Sequence, residues 1–135
     1  MASPDFETNI LYTLKKEAGS VLPIDIWYEG EIWVFHPVGS IDTTTSSDLE
    51  GTLMEGIAQG MRWIILDLTD VRYVSSAGIR VFITTVKSLK KENGEIRFST
   101  PNKNVLDVLQ LSGLLKILKV YPDNSTAIKS FACKT

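Results

Sequence analysis

Four consecutive apolar residues, Trp63, Ile64, Ile65 and Leu66, run without a break into Asp67. A strand with one face in water alternates apolar and polar side chains, so a run that spares neither face marks a strand covered on both sides. Such a strand sits in the middle of a sheet, and the sequence around it supplies helices to cover it. Leu49, Leu53 and Ile57 recur at helical spacing after the polar cluster Asp42 to Ser47, which predicts a first helix from about Thr44 to Ala58. Ile79, Phe82, Ile83, Val86 and Leu89 make a second stripe, closed by Lys90 and Lys91 at the pole where cations are favoured and stopped by Gly94.

The remaining elements follow from the same periodicities. Ile24, Ile26 and Tyr28 alternate with Asp25, Trp27 and Glu29, Gly30 offers a turn, and Ile32 to Val38 continues as a second extended run, which together read as a hairpin. Ile96 and Phe98 mark a further strand. Thr100 and Pro101 are expected to cap and open a third helix, with its apolar face at Val105, Leu106, Val108, Leu109 and Leu111 and its stop at Gly113. A last strand is expected over Ile117 to Tyr121. Pro122, Asp123 and Ser125 then open a terminal helix that buries Ala127, Ile128 and Phe131. The order β-β-α-β-α-β-α-β-α gives an α/β fold with a mixed sheet, an initial hairpin and parallel crossovers, helices covering one or both faces. Trp27, Trp33 and Trp63 all fall in strands and are expected to pack against the sheet.

A chain of 135 residues suits one domain. Residues 1–22 read as an N-terminal extension and 23–135 as the domain. Within the extension, Ile10, Leu11 and Leu14 ahead of Lys15, Lys16 and Glu17 suit either a short amphipathic helix or a solvated arm, and self-association as a homodimer stays open.

Several function classes lack their residues. A formal net charge of -2 provides no basic field for nucleic acid. No apolar run approaches the roughly 18 residues of a membrane span, and the acidic, polar start is unlike a secretory signal. The single cysteine, Cys133, has no partner for a disulfide or a metal site, which fits a reducing cytoplasm. The single histidine, His36, lies inside the second strand and reads as an ordinary strand residue. No cofactor and no metal are expected, and no catalytic residue is assigned. The phosphate-binding, dinucleotide-binding and nucleophile-elbow motifs are missing. Asp67 and Asp70 flank the end of the buried strand, where such acids cap or solvate a strand end more often than they form an acid-base pair.

The informative stretch joins the central strand to the second helix: Asp67-Leu-Thr-Asp-Val-Arg-Tyr-Val-Ser75-Ser76-Ala77-Gly78-Ile79. A serine at a helix start serves as an N-cap, worth about 1 kcal/mol. Read from the residues alone, capping is the favoured role; the second is to carry a phosphate, because the free N–H groups and dipole of a helix N-terminus favour an anion.

At this point the chain resembles the STAS domain of anti-sigma factor antagonists. The resemblance spans roughly Ile24 to Ala132 and rests on four pieces in order. These are Gly39-Ser-Ile-Asp42, the segment from Asp67-Leu to Ser76-Ala-Gly78, Gly94-Glu95, and Leu111-Ser-Gly-Leu-Leu-Lys-Ile117. In that family a serine two residues before the helix glycine is phosphorylated by a partner kinase that is also the anti-sigma factor. The unphosphorylated antagonist grips the kinase and frees the sigma factor, and a phosphatase resets the switch.

The resemblance therefore implies phosphorylation at Ser76, with Ser75 as second choice. It implies a partner-binding surface of Asp42, Thr43, Ser75, Ser76, Ala77, Gly78 and Ile79. Its partners would be an anti-sigma factor serine kinase and a phosphatase, and the protein itself would be no enzyme. Where many family members read Asp-Ser-Ser/Thr-Gly, this chain reads Ser75-Ser76-Ala77-Gly78, which removes a charge beside the acceptor. Exposed apolar surface near Val74, Ala77 and Ile79 is expected if a kinase docks here. A non-phosphorylated STAS scaffold or small-ligand sensor is the alternative. A serine hydrolase using Ser75 or Ser76 would need His36 or an acid as base.

Overall fold

The computed structural model describes residues 22–132. β1 (Ile24–Glu29) and β2 (Ile32–Pro37) form the antiparallel hairpin. Gly30 turns the chain between them at a φ of 63°, a left-handed value that glycine adopts without strain. β3 (Gly39–Ile41), α1 (Ser46–Ala58) and β4 (Trp63–Asp67) follow, then β5 (Val71–Val74) and α2 (Ser76–Lys91). β6 (Glu95–Ser99), α3 (Lys103–Leu111), a 3-10 turn at Leu114–Lys116, β7 (Val120–Tyr121) and α4 (Asn124–Ala132) complete the chain.

The main sheet runs β1-β2-β4-β6-β7, antiparallel at the hairpin and parallel elsewhere, with β4 at its centre. The apolar run is therefore where its pattern placed it. Ile64 and Leu66 point into the larger core with Phe35, Phe98, Leu53 of α1, Phe82 of α2 and Leu109 of α3. Ile65 points the other way, into a smaller core with Val34, Ala127 and Phe131 of α4. Three helices thus cover one face and one helix covers the other. Trp63 packs its ring against Phe131 at 5.9 Å, and Trp33 stacks on Tyr28 at 5.2 Å.

Several boundaries differ from the sequence reading. The first helix begins at Ser46 rather than Thr44, because Asp42 to Thr45 are held in a turn of their own. The third helix is capped by Asn102, whose Oδ1 accepts from the Val105 N–H at 2.8 Å. Thr100 takes a left-handed φ of 54° instead, and Pro101 lies ahead of the cap. The final strand shrinks to Val120–Tyr121, because the Ile117 and Leu118 N–H groups turn back to donate to the Leu114 carbonyl at the end of the 3-10 turn. The second strand stops at Pro37, one residue short. Ile128 is half-buried where Ala127 and Phe131 are buried.

Two short strands were not foreseen. β3 and β5 pair in parallel as a separate two-stranded sheet, Gly39 with Val71 and Ile41 with Val74. The helix expected within residues 10–17 lies outside the described residues. Leu22, counted above with the extension, is buried and donates its N–H to Asp48 Oδ2 at 3.3 Å.

Candidate functional site

The small β3–β5 sheet brings together two helix starts. Its last pairing, Ile41 with Val74, sets the residues after it side by side: Asp42 leading to α1, and Ser75 leading to α2. The Ser75 N–H closes the arrangement by donating to the Ile41 carbonyl at 2.8 Å.

On the α1 side, Asp42 Oδ1 accepts from the Thr44 N–H at 2.9 Å, the Thr44 hydroxyl at 2.7 Å and the Thr45 N–H at 3.1 Å. These donors, the Thr44 hydroxyl foremost, hold the Asp42 carboxyl below its ordinary range, so it is an anion near neutral pH. Its main-chain carbonyl accepts from the Ser46 N–H at 2.8 Å, so Asp42 organises the entry to the helix as well as carrying charge. Thr43 is exposed next to it.

On the α2 side the two serines part company. Ser75 is the N-cap, with extended backbone, and its Oγ accepts from the Gly78 N–H at 3.4 Å. Ser76 is the first helical residue and is exposed. Aspartate and serine are equally good N-caps, and Ser75 fills the cap position without adding a charge. Gly78 is buried against β3. A Cβ there would lie 2.8 Å from both Ile41 Cγ2 and Val74 Cγ1 and 3.0 Å from the Ile41 carbonyl, so only glycine lets α2 start this close.

The apolar surface differs in detail from expectation. Val74 is 1% exposed and belongs to the core, because β5 turns it inward. Ala77 and Ile79 are half-buried. Tyr73, whose side chain emerges on the opposite side of β5 from Val74, is 51% exposed and supplies the large apolar group beside the serines. The Asn102 Nδ2 donates to the Val71 carbonyl at 3.0 Å, tying the start of α3 to the same strand. Asn102 was missed in the sequence, although asparagine directly ahead of a helical stripe is a recognisable cap.

A second polar cluster lies where β2 and β4 end. His36 Nδ1 contacts Asp67 Oδ2 at 2.9 Å and His36 Nε2 contacts Asp70 Oδ2 at 2.7 Å. Asp67 Oδ2 also accepts from Asn124 Nδ2 at 2.9 Å, and its Oδ1 accepts from the Thr69 N–H at 3.0 Å and the Thr69 hydroxyl at 2.5 Å. Both nitrogens of the sole histidine are engaged by these carboxylates rather than by Ser75 or Ser76. Among the described residues no group of three or more His, Cys, Asp or Glu side chains is placed to hold a metal ion, and no helix is long and apolar enough to cross a membrane.

The comparisons with known proteins agree with this architecture. The profile of the STAS domain matches residues 24–127. A candidate anti-sigma factor antagonist of Bordetella bronchiseptica is 31% identical over 93 residues, covering 69% of this chain and 80% of that protein. The crystal structure of an anti-sigma factor antagonist from Mycobacterium paratuberculosis superposes with a TM-score of 0.75 at 21% identity, covering 83% of this chain and 95% of that one. The Bacillus cell fate determinant SpoIIAA in its phosphorylated form superposes with a TM-score of 0.63 at 19% identity, over 80% of this chain and 98% of that one. With a central β4, α2 opening at Ser76 and a family match over most of its length, this chain belongs to the STAS domain family.

Proposed function

We propose that this protein is a cytoplasmic anti-sigma factor antagonist that binds an anti-sigma factor serine kinase and is released from it by phosphorylation at Ser76. One observation carries the choice of residue. Ser75 is half-buried and uses its hydroxyl to cap α2, whereas Ser76 stands exposed at the first helical position.

The chemistry asks little of this chain. The kinase supplies ATP, Mg²⁺ and the base that takes the hydroxyl proton; the Ser76 Oγ–P bond forms as the terminal P–O bond of ATP breaks and ADP leaves. A helix N-terminus accommodates the product, which carries a charge of about -1.5 to -2 near neutral pH. That charge arrives at the helix start that the β3–β5 pairing sets beside the Asp42 turn, where Thr43 and Tyr73 are exposed and Asp42 is already an anion. An apolar docking patch beside an existing negative charge becomes a poor one when a second anion is added, so phosphorylation expels the partner. A phosphatase restores the docking state.

Radioactive ATP added to an extract of the protein's own cells tests the reading. The wild type and a Ser75→Ala variant acquire label, and Ser76→Ala does not. Label retained by Ser76→Ala contradicts the choice of residue, and a Ser76→Ala variant that keeps full regulation in the cell favours a non-phosphorylated scaffold or sensor.

A further inference from the structure

We infer that His36 is a positioning residue, a charged clasp that holds the turn leading into the Ser75–Ser76 segment and that opens when the imidazole gives up a proton. The geometry requires the charge. A neutral imidazole has one N–H and one lone pair, and a carboxylate ion only accepts. With Asp67 at 2.9 Å from Nδ1 and Asp70 at 2.7 Å from Nε2, both nitrogens must donate, so the ring is an imidazolium.

Asp67 is the fixed jaw of the clasp. Its carboxylate is buried and accepts from Thr69 and Asn124 as well as from His36. Asp70 is the movable jaw, with a side chain 56% exposed. Among the described residues, the other groups around the ring add no cation. Asp25 is the cross-strand neighbour on β1, Trp27 places its ring 5.9 Å away, and α4 contributes the uncharged amide of Asn124 to Asp67. Burial disfavours the imidazolium, but the bonds and charges of Asp67 and Asp70 outweigh it and raise the pKa of His36 above 6.5.

The turn matters because of what it carries. The Asp70 carbonyl accepts from the Gly39 N–H at 2.9 Å, and Val71 opens β5, which ends at Val74 ahead of Ser75. When His36 loses a proton, a nitrogen lone pair faces a carboxylate. Asp70 can turn to water and Asp67 cannot, so the clasp opens on the Asp70 side and frees the backbone that fixes the β3–β5 sheet.

His36 is the only histidine, so one imidazole resonance reports on it. A proton NMR titration of the intact chain should give a midpoint above 6.5. Amide exchange at Gly39 and Val71 to Ser75, corrected for intrinsic base catalysis, should rise with that same midpoint, and exchange in α4 should not. Asp70→Asn keeps an acceptor and removes the charge, so it should shift the midpoint down; His36→Gln should abolish the pH step in exchange. A midpoint at or below 6.5, or one unmoved by Asp70→Asn, overturns the clasp. The consequence for phosphorylation rests on the function proposed above: the initial rate of Ser76 labelling should change at the His36 midpoint in the wild type and show no such step in His36→Gln. Labelling without the step, beside a titrating clasp, overturns the positioning role. Absence of labelling at every pH, with the clasp titrating as described, overturns the phosphorylation reading and leaves the clasp standing.

Discussion

The Ser75 N–H donates to the Ile41 carbonyl at 2.8 Å, across 34 residues of chain. Through this bond the first residues after β3 and after β5 become one surface, with the Asp42 turn on one side and the start of α2 on the other. Neither segment could hold that arrangement alone. A two-stranded sheet this short is marginal by itself, and it persists here because Ile41, Val71 and Val74 are buried in the larger core.

The close approach of α2 to β3 makes Gly78 sensitive to a single methyl group. Gly78→Ala would gain up to about 1 kcal/mol of helix propensity in open space. Here the added Cβ meets two side chains at 2.8 Å and the Ile41 carbonyl at 3.0 Å, so overpacking of about 1–3 kcal/mol dominates. Urea denaturation should show net destabilisation, and a variant as stable as wild type would contradict the packing described.

The two serines should separate stability from modification. Ser75→Ala removes a long cap bond, so the loss should fall at the lower end of the usual range, about 0.5–1 kcal/mol, with labelling of Ser76 retained. Ser76→Ala removes an exposed hydroxyl and should stay within about 0.5 kcal/mol of wild type, with labelling lost. Thermal or urea melts of the two variants, run beside the labelling assay, test the division of roles.

Stability should fall away on both sides of a plateau in pH. Burial works against the Asp67 anion, but bonds from Thr69, His36 and Asn124 outweigh it and lower its pKa from 3.8. Its contribution is therefore present above 3.8 and lost as pH falls through the lower folded value. His36 is raised from 6.5, so its contribution is full below 6.5 and lost as pH rises through the higher folded value. Unfolding free energies measured across pH should show both shoulders, and His36→Gln should remove the alkaline one.

Much of this architecture was legible because it rests on periodicity. Trp63 to Leu66 read as a central strand, and the stripes of Leu49, Leu53 and Ile57 and of Phe82, Val86 and Leu89 read as helical faces, and the structure has them so. What escaped depends on partners far away in sequence. β3 and β5 have three and four residues, too few for a pattern to emerge. Their pairing joins residues some thirty positions apart. The Asp67 and Asp70 carboxylates converge on His36 because β2 and β4 pair in parallel with Phe35 opposite Leu66, a register no local pattern announces. Thr100 and Asn102 are both plausible caps, and the left-handed turn at Thr100 decided between them. At the serines, the residues alone favoured capping and only the family resemblance pointed to Ser76; the cap bond of Ser75 separates the two side chains physically.

The central claim is that Ser76 is a reversible phosphoacceptor, and the mass of the intact protein from its own cells tests it most directly. We predict a phosphatase-sensitive gain of one phosphate, mapping within Tyr73 to Arg80 to Ser76. A phosphate confined to Ser75, or none under any growth condition in which the folded protein is present, would contradict it.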